Sequence, residues 1–203
     1  MTLKDWNPDD YSFITPIEHY PGLIVNMSFV NKVVKILTFT TTTVYREIYN
    51  CYEKKAALAI MLIALAEVDY LAGFYAGRRT QKKDFIGFLS SKYFPPEYQP
   101  FANDIYSQLR NGLMHNLVMV NPWVEEGIIF KITIASNEHL QKDKRGRTIF
   151  NPMTFAEDVY RASRMYIFDL IGNTKDYPEL VKHFEERFNK LNGKGAYMAK
   201  VPS

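Results

Sequence analysis

The chain has 203 residues, enough for one domain that buries roughly 70% of its unfolded surface. Hydrophobic residues make up 47% and charged residues 23%, which excludes wholesale disorder, collagen-like repeats and low complexity. The net charge of +3 is too small to single out a nucleic-acid partner and does not exclude one, while the lone cysteine, Cys51, excludes a disulfide framework and a cysteine-based zinc site.

A single domain is expected over 1–203. The opening residues Met1-Thr2-Leu3-Lys4-Asp5-Trp6 lack the apolar core of a signal peptide. The longest apolar run, Ala56 to Ala66, covers 11 residues where a membrane span needs about 20, so a cytoplasmic protein with no membrane partner is expected.

In chain order, residues 1–25 read as an irregular lead-in, with Pro8, Pro16, Pro21 and Gly22 among scattered aromatics. Residues 26–44 are ambiguous: Phe29, Val33, Ile36 and Leu37 have helical spacing, whereas Thr38 to Val44 is strand-prone. One helix is predicted from about Arg46 to Ala76, apolar around its circumference and therefore wrapped by other elements. A short helix follows over Asp84 to Tyr93, closed by Pro95-Pro96. The next, from about Tyr98 to Asn116, carries the stripe Phe101, Ala102, Ile105, Leu109 and Leu113.

Beyond it the period changes to two, with Ile128, Phe130, Ile132 and Ile134 alternating along a strand. Asp143-Lys144-Arg145-Gly146 is a turn with short strands on both sides. Thr154 and Glu157 have capping-box spacing at the start of a helix that runs to Gly172. A last helix, from Asp176 or Pro178 to Leu191, presents Leu180, Val181, Phe184, Phe188 and Leu191 on one face, and 192–203 reads as a loose tail. The expected fold is mainly α, an up-and-down helical bundle, with a small antiparallel β insertion at 127–150 before the last two helices.

The four histidines, His19, His115, His139 and His183, fall in four separate elements without metal-ligand spacing, so no metal or cofactor is expected. No glycine-rich phosphate loop and no Gly-x-Ser-x-Gly elbow occurs, and Cys51 reads as a small buried hydrophobe. The segment Arg110-Asn111-Gly112-Leu113-Met114-His115 stands out. On an ideal helix with Ile105 at zero, Leu109 and Leu113 fall at about 40° and about 80°, on the core side. Arg110 falls at about 140°, Asn111 at about 240° and His115 at about 280°, all turned away from the core. Met114, at about 180°, is an apolar residue on the outward face, which suits a second docked surface.

Asn111 and His115 have i,i+4 spacing, so the amide can orient the imidazole. An arginine fork suits phosphate oxygens, and a histidine passes protons near neutral pH. RNA supplies its own nucleophile, the 2′-hydroxyl, so a base, an acid and a charge stabiliser are enough.

The segment resembles the signature of the HEPN superfamily: an arginine, then a polar residue (here Asn111), then a histidine after four intervening residues. The resemblance covers about residues 45–190 in architecture. It implies an all-helical dimer and a metal-independent endoribonuclease of defence, toxin–antitoxin or RNA-processing systems, with a composite site where two signatures face each other. In those terms Arg110, Asn111 and His115 are catalytic and Met114 lies at the dimer interface. Glu67 or Asp69 supports Arg110 from an earlier helix, and Asn116 marks the exit of the motif helix. RNA is the implied substrate, with an antitoxin or regulatory protein as a further partner. Leu117 stands where the toxin branch carries a modifiable tyrosine, and the insertion at 127–150 lies outside the minimal bundle.

Other readings stay open. His115 can cap its helix against the dipole, and Arg110 can cover apolar neighbours with its stem. The basic groups Arg78, Arg79, Lys82 and Lys83, and Lys142, Lys144, Arg145 and Arg147, read as solvated loops or as RNA contacts. Tyr11, Tyr20, Tyr93 and Tyr98 read as core or as base-stacking groups. The alternative function is a non-catalytic dimerisation or nucleotide/RNA-binding module.

Overall fold

The computed structural model describes residues 27–116, 130–134, 138–172 and 176–192. The predicted lead-in, the first part of the insertion and the tail lie outside these residues, as do the side chains of Met114, His115 and Asn116.

The chain is mainly helical. α1 (Met27–Val33) passes through a π-helical turn (Val34–Thr38) into α2 (Phe39–Glu53). The strand-prone run from Thr38 to Val44 is therefore helix. Burial of Thr41 and Thr42, with a hydrogen bond from Thr41 Oγ1 to Glu67, outweighs its β propensity.

The predicted single helix over 46–76 is broken in two. Ala56 N–H donates to the Cys51 carbonyl (2.9 Å) and Lys55 N–H to the Tyr52 carbonyl (2.8 Å), a Schellman stop with Lys55 at φ +53°. α3 (Ala57–Tyr75) then runs through the centre, packed against α2, α4 (Lys82–Leu89), α7 (Pro152–Gly172) and α8 (Pro178–Asn192). By length and composition α3 is apolar enough to cross a membrane, but Ile60, Met61, Ala64, Leu65, Val68, Leu71 and Phe74 are buried against protein. It ends in a second Schellman stop, with Gly77 at φ +69°, Arg78 N–H on the Gly73 carbonyl and Gly77 N–H on that of Phe74.

The motif region is less regular than its periodicity predicts. A 3₁₀ segment (Pro96–Phe101) leads into α5 (Ala102–Asp104), a π-helical segment (Ile105–Arg110) and α6 (Asn111–Asn116). Ala102, Ile105, Leu109 and Leu113 are buried as the stripe requires.

The insertion corrects a prediction. β1 (Phe130–Ile132) and β2 (Thr148–Phe150) pair in parallel, Phe130 opposite Thr148, where an antiparallel pair is expected. The 15 residues between them are long enough for a parallel crossover, and among the described residues only the bridge Lys142–Thr148 is antiparallel. The turn itself is present: the Asp143 carboxylate accepts the N–H groups of Arg145 and Arg147 and pairs with the Arg147 guanidinium at 2.8 Å.

α7 opens within Asn151-Pro152-Met153-Thr154 as expected, but its cap is not Thr154. Asn151 Oδ1 accepts from Met153 N–H (2.9 Å) and Thr154 N–H (3.4 Å), so Asn151 is the cap.

A candidate functional site around Arg110

Arg110 does not point away from the bundle. Its Nη2 donates to Asp69 Oδ2 of α3 at 2.8 Å, and its Nη1 donates to Asn111 Oδ1 at 3.0 Å. The guanidinium carbon stands 5.4 Å from the Tyr106 ring centroid. The cause of the difference is the π-helical segment. Its i→i+5 bonding holds more residues per turn, so Arg110 advances less around the axis than on an ideal helix and comes back toward the Ile105 side, where α3 lies.

The pair is 20% exposed at Arg110 and 26% at Asp69. It meets through one nitrogen and one oxygen, not fork on fork. Arg110 Nε and Asp69 Oδ1 are both shut from solvent and have no hydrogen-bond partner among the described residues. A cationic donor is thus held in place by a carboxylate, an amide and a ring, with donor capacity left over. Such a fixed guanidinium can receive charge developing on a phosphate without first reorganising.

Glu67, the other acid considered for this role, faces a different way. It is 2% exposed and accepts from Thr41 Oγ1 at 3.0 Å. Burial pushes its carboxyl up to about 7, with the Thr41 hydrogen bond acting in the opposite sense. Asn111 turns its carbonyl oxygen to Arg110. His115, Met114 and Asn116 belong to α6 by their backbone, and their side chains lie outside the described residues.

Sequence reasoning missed two participants. Tyr106, four residues before Arg110 and so one helical turn away, carries the guanidinium on its face, a signal that i,i+4 spacing contains. Lys82 approaches the same ring at 5.9 Å, which only the tertiary structure brings about.

The other candidates are mostly structural. His139 Nδ1 accepts from Asn151 N–H at 2.9 Å, so the proton of the neutral ring sits on Nε2 and is donated to Tyr98 Oη (2.8 Å). Tyr98 in turn donates to Asp158 (2.8 Å), a buried chain that ties the insertion to the start of α7. Burial lowers the His139 pKa to about 4. His183 Nδ1 donates to the Tyr75 carbonyl at 2.8 Å, and Tyr93 Oη donates to Asp169 at 3.1 Å. Arg78 forms a two-point pair with Asp84 at 3.1 and 2.6 Å, and Lys142 Nζ donates to Thr148 Oγ1 at 2.8 Å. Cys51 is half-buried near the end of α2. His19, Tyr11 and Tyr20 lie outside the described residues.

Comparison with family models, curated proteins and solved structures returned no match.

Proposed function

We propose that the protein is a metal-independent endoribonuclease of the HEPN type, acting as a cytoplasmic homodimer through the Met114 face. The observation that supports this reading is the Asp69–Arg110 pair: an acid on an earlier helix holds the arginine of the motif at 2.8 Å, as the HEPN resemblance implies. In the mechanism, His115 takes the proton of the RNA 2′-hydroxyl or returns one to the departing 5′-oxygen. The 2′-oxygen attacks the adjacent phosphorus, the bond to the 5′-oxygen breaks, and a 2′,3′-cyclic phosphate remains. Arg110 stabilises the charge of the phosphorane, and Asn111 with Asp69 holds the guanidinium in place. An antitoxin or regulatory protein is a further partner of this reading.

The test is incubation of the protein with mixed-sequence single-stranded RNA in EDTA, beside Arg110→Ala and His115→Ala. Wild type is expected to leave cyclic-phosphate ends, and His115→Ala to be about 10²–10⁴-fold slower, the scale for losing a general acid or base. A His115→Ala variant as fast as wild type removes the assignment.

The second reading is a non-catalytic dimerisation or nucleotide/RNA-binding module. It is favoured by the cover over Arg110, whose guanidinium already has partners within its own chain. RNA binding without cleavage by any variant supports it.

A further inference from the structure

Two cations from separate elements converge on one ring. Arg110 lies four residues after Tyr106, and its guanidinium carbon stands 5.4 Å from the ring centroid. Lys82, the first residue of α4, brings its Nζ to 5.9 Å from the same centroid. Phe85, three residues after Lys82 and so on the same face of α4, meets the Tyr106 ring edge-to-face, with 5.3 Å between centroids. Phe85 is fully buried, and a capping box joins Gln81 and Asp84, so the first turn of α4 is fixed against Tyr106. The packing that seats this turn carries Lys82 to the ring on which Arg110 lies.

The two cations differ in what else they touch. Arg110 is held by Asp69 and Asn111. Lys82 is exposed, and its ammonium makes no hydrogen bond or ion pair among the described residues. The carboxylates on the surrounding elements are engaged elsewhere. Asp84, on the same turn, takes the Arg78 guanidinium at 2.6 and 3.1 Å and the Gln81 N–H at 3.0 Å. Asp69 of α3 is paired with Arg110 at 2.8 Å. Asp104 of α5 accepts from Asn103 Nδ2 at 3.4 Å and forms no ion pair with Lys82. The ring attracts the ammonium through its face and leaves the three N–H groups of Lys82 available to an anion. RNA carries one negative charge at every nucleotide, and two cations sharing one ring can meet neighbouring phosphates of a single strand.

We propose that Lys82 binds the RNA phosphate next to the one received by Arg110, and so sets the register of the strand across the site. This rests on the RNA reading proposed above and adds a substrate-binding residue to it. Lys82 touches no reacting atom in this assignment, and the chemical step stays with Arg110 and His115.

The experiment measures binding of a fluorescent single-stranded RNA carrying 2′-O-methyl groups throughout, which cannot be cleaved by 2′-hydroxyl attack, across a salt series. Lys82→Gln is expected to bind about fivefold more weakly, with the logarithmic salt slope smaller by about 0.7, the share of one phosphate contact on a single strand. Lys82→Arg keeps a cation on the ring and is expected to retain most of the affinity. Lys83→Gln removes the same charge from the next exposed position, which meets no ring, and is expected to weaken binding by less than about twofold. Unchanged affinity and slope in Lys82→Gln overturn the proposal, as does equal weakening by Lys82→Gln and Lys83→Gln, which reduces the effect to net charge. On unmodified RNA, Lys82→Gln is expected to raise KM about fivefold with kcat nearly unchanged. A fall in kcat at unchanged KM places Lys82 in the chemical step and overturns the binding role. Lys82-dependent binding without cleavage by wild type removes the nuclease and keeps the contact, and cleavage with Lys82-independent binding does the reverse. A wild-type protein that binds no RNA overturns the contact as well.

Discussion

Glu67 and Asp69 stand two residues apart on α3 and live in opposite surroundings. Two residues are about 200° of helix, so one carboxyl faces α2 and the other faces Arg110. Glu67 is enclosed with a single hydroxyl donor and holds its proton up to about pH 7. Asp69 meets a guanidinium at 2.8 Å, and its other oxygen has no partner among the described residues. Environment, more than residue type, decides which acid is enclosed and protonated and which is paired with Arg110.

The largest expected difference between the two is in activity. For the proposed nuclease, Asp69→Asn is expected to slow RNA cleavage about 10²-fold, the scale for misplacing a catalytic group by an ångström. Glu67→Gln should stay within a fewfold of wild type. Equal losses in the two variants would dissolve the distinction drawn from the Arg110 geometry.

Stability against pH separates them next. The Glu67 carboxyl ionises at about 4.5 in the unfolded chain and at about 7 in the fold, so the folded state binds the extra proton between these values. Its contribution is fully present below pH 4.5 and is lost as the pH rises through 7, an effect of up to about 3 kcal/mol. His139 works in the other direction: its pKa falls from 6.5 to about 4 on folding. That contribution is present above pH 6.5 and is lost as the pH falls toward 4, again by up to about 3 kcal/mol. The two slopes oppose each other between pH 4.5 and 6.5. Denaturant titrations of Glu67→Gln are expected to show higher stability than wild type at pH 8 and a steeper decline on acidification. A parallel pH profile for variant and wild type would contradict the burial argument.

The smallest effects lie at the two ends of the helix break and of α3. Gly77→Ala places a Cβ 2.9 Å from Glu186 Oε2 at φ +69° and is expected to cost about 2 kcal/mol. Lys55→Gly, at φ +53°, is expected to stabilise by about 0.5 kcal/mol, the relief of strain being partly offset by a freer unfolded chain. Thermal melts of both variants check the pair, and a gain from Gly77→Ala would reverse the assignment.

Much of the fold is legible in sequence where one periodicity governs a whole element. α7 and α8 keep their expected bounds to within a residue or two, and the all-round apolar character of α3 signals its central place. Legibility fails where local and tertiary preferences part. Lys55 stops a helix in a conformation that usually needs glycine. Thr41 is held in a helix by a buried acid 26 positions away. The hairpin-like pattern around Asp143 is real, yet β1 pairs with β2 in parallel because register depends on partners, not on turn signals alone.

For the candidate site, the sequence by itself determined the residue types: an arginine, an asparagine and a histidine within one helical span, with two acids on an earlier helix. It also pointed to α3 as the central helix, which the burial of Ile60, Ala64, Leu65, Val68 and Leu71 bears out, although Leu58 remains exposed. Only the tertiary structure decided that Asp69 and not Glu67 meets Arg110, and that Lys82 reaches the ring of Tyr106. The reason is geometric. Spacing along a helix is counted at about 100° per residue, and one π-helical segment at Ile105–Arg110 alters that count enough to turn an outward arginine inward.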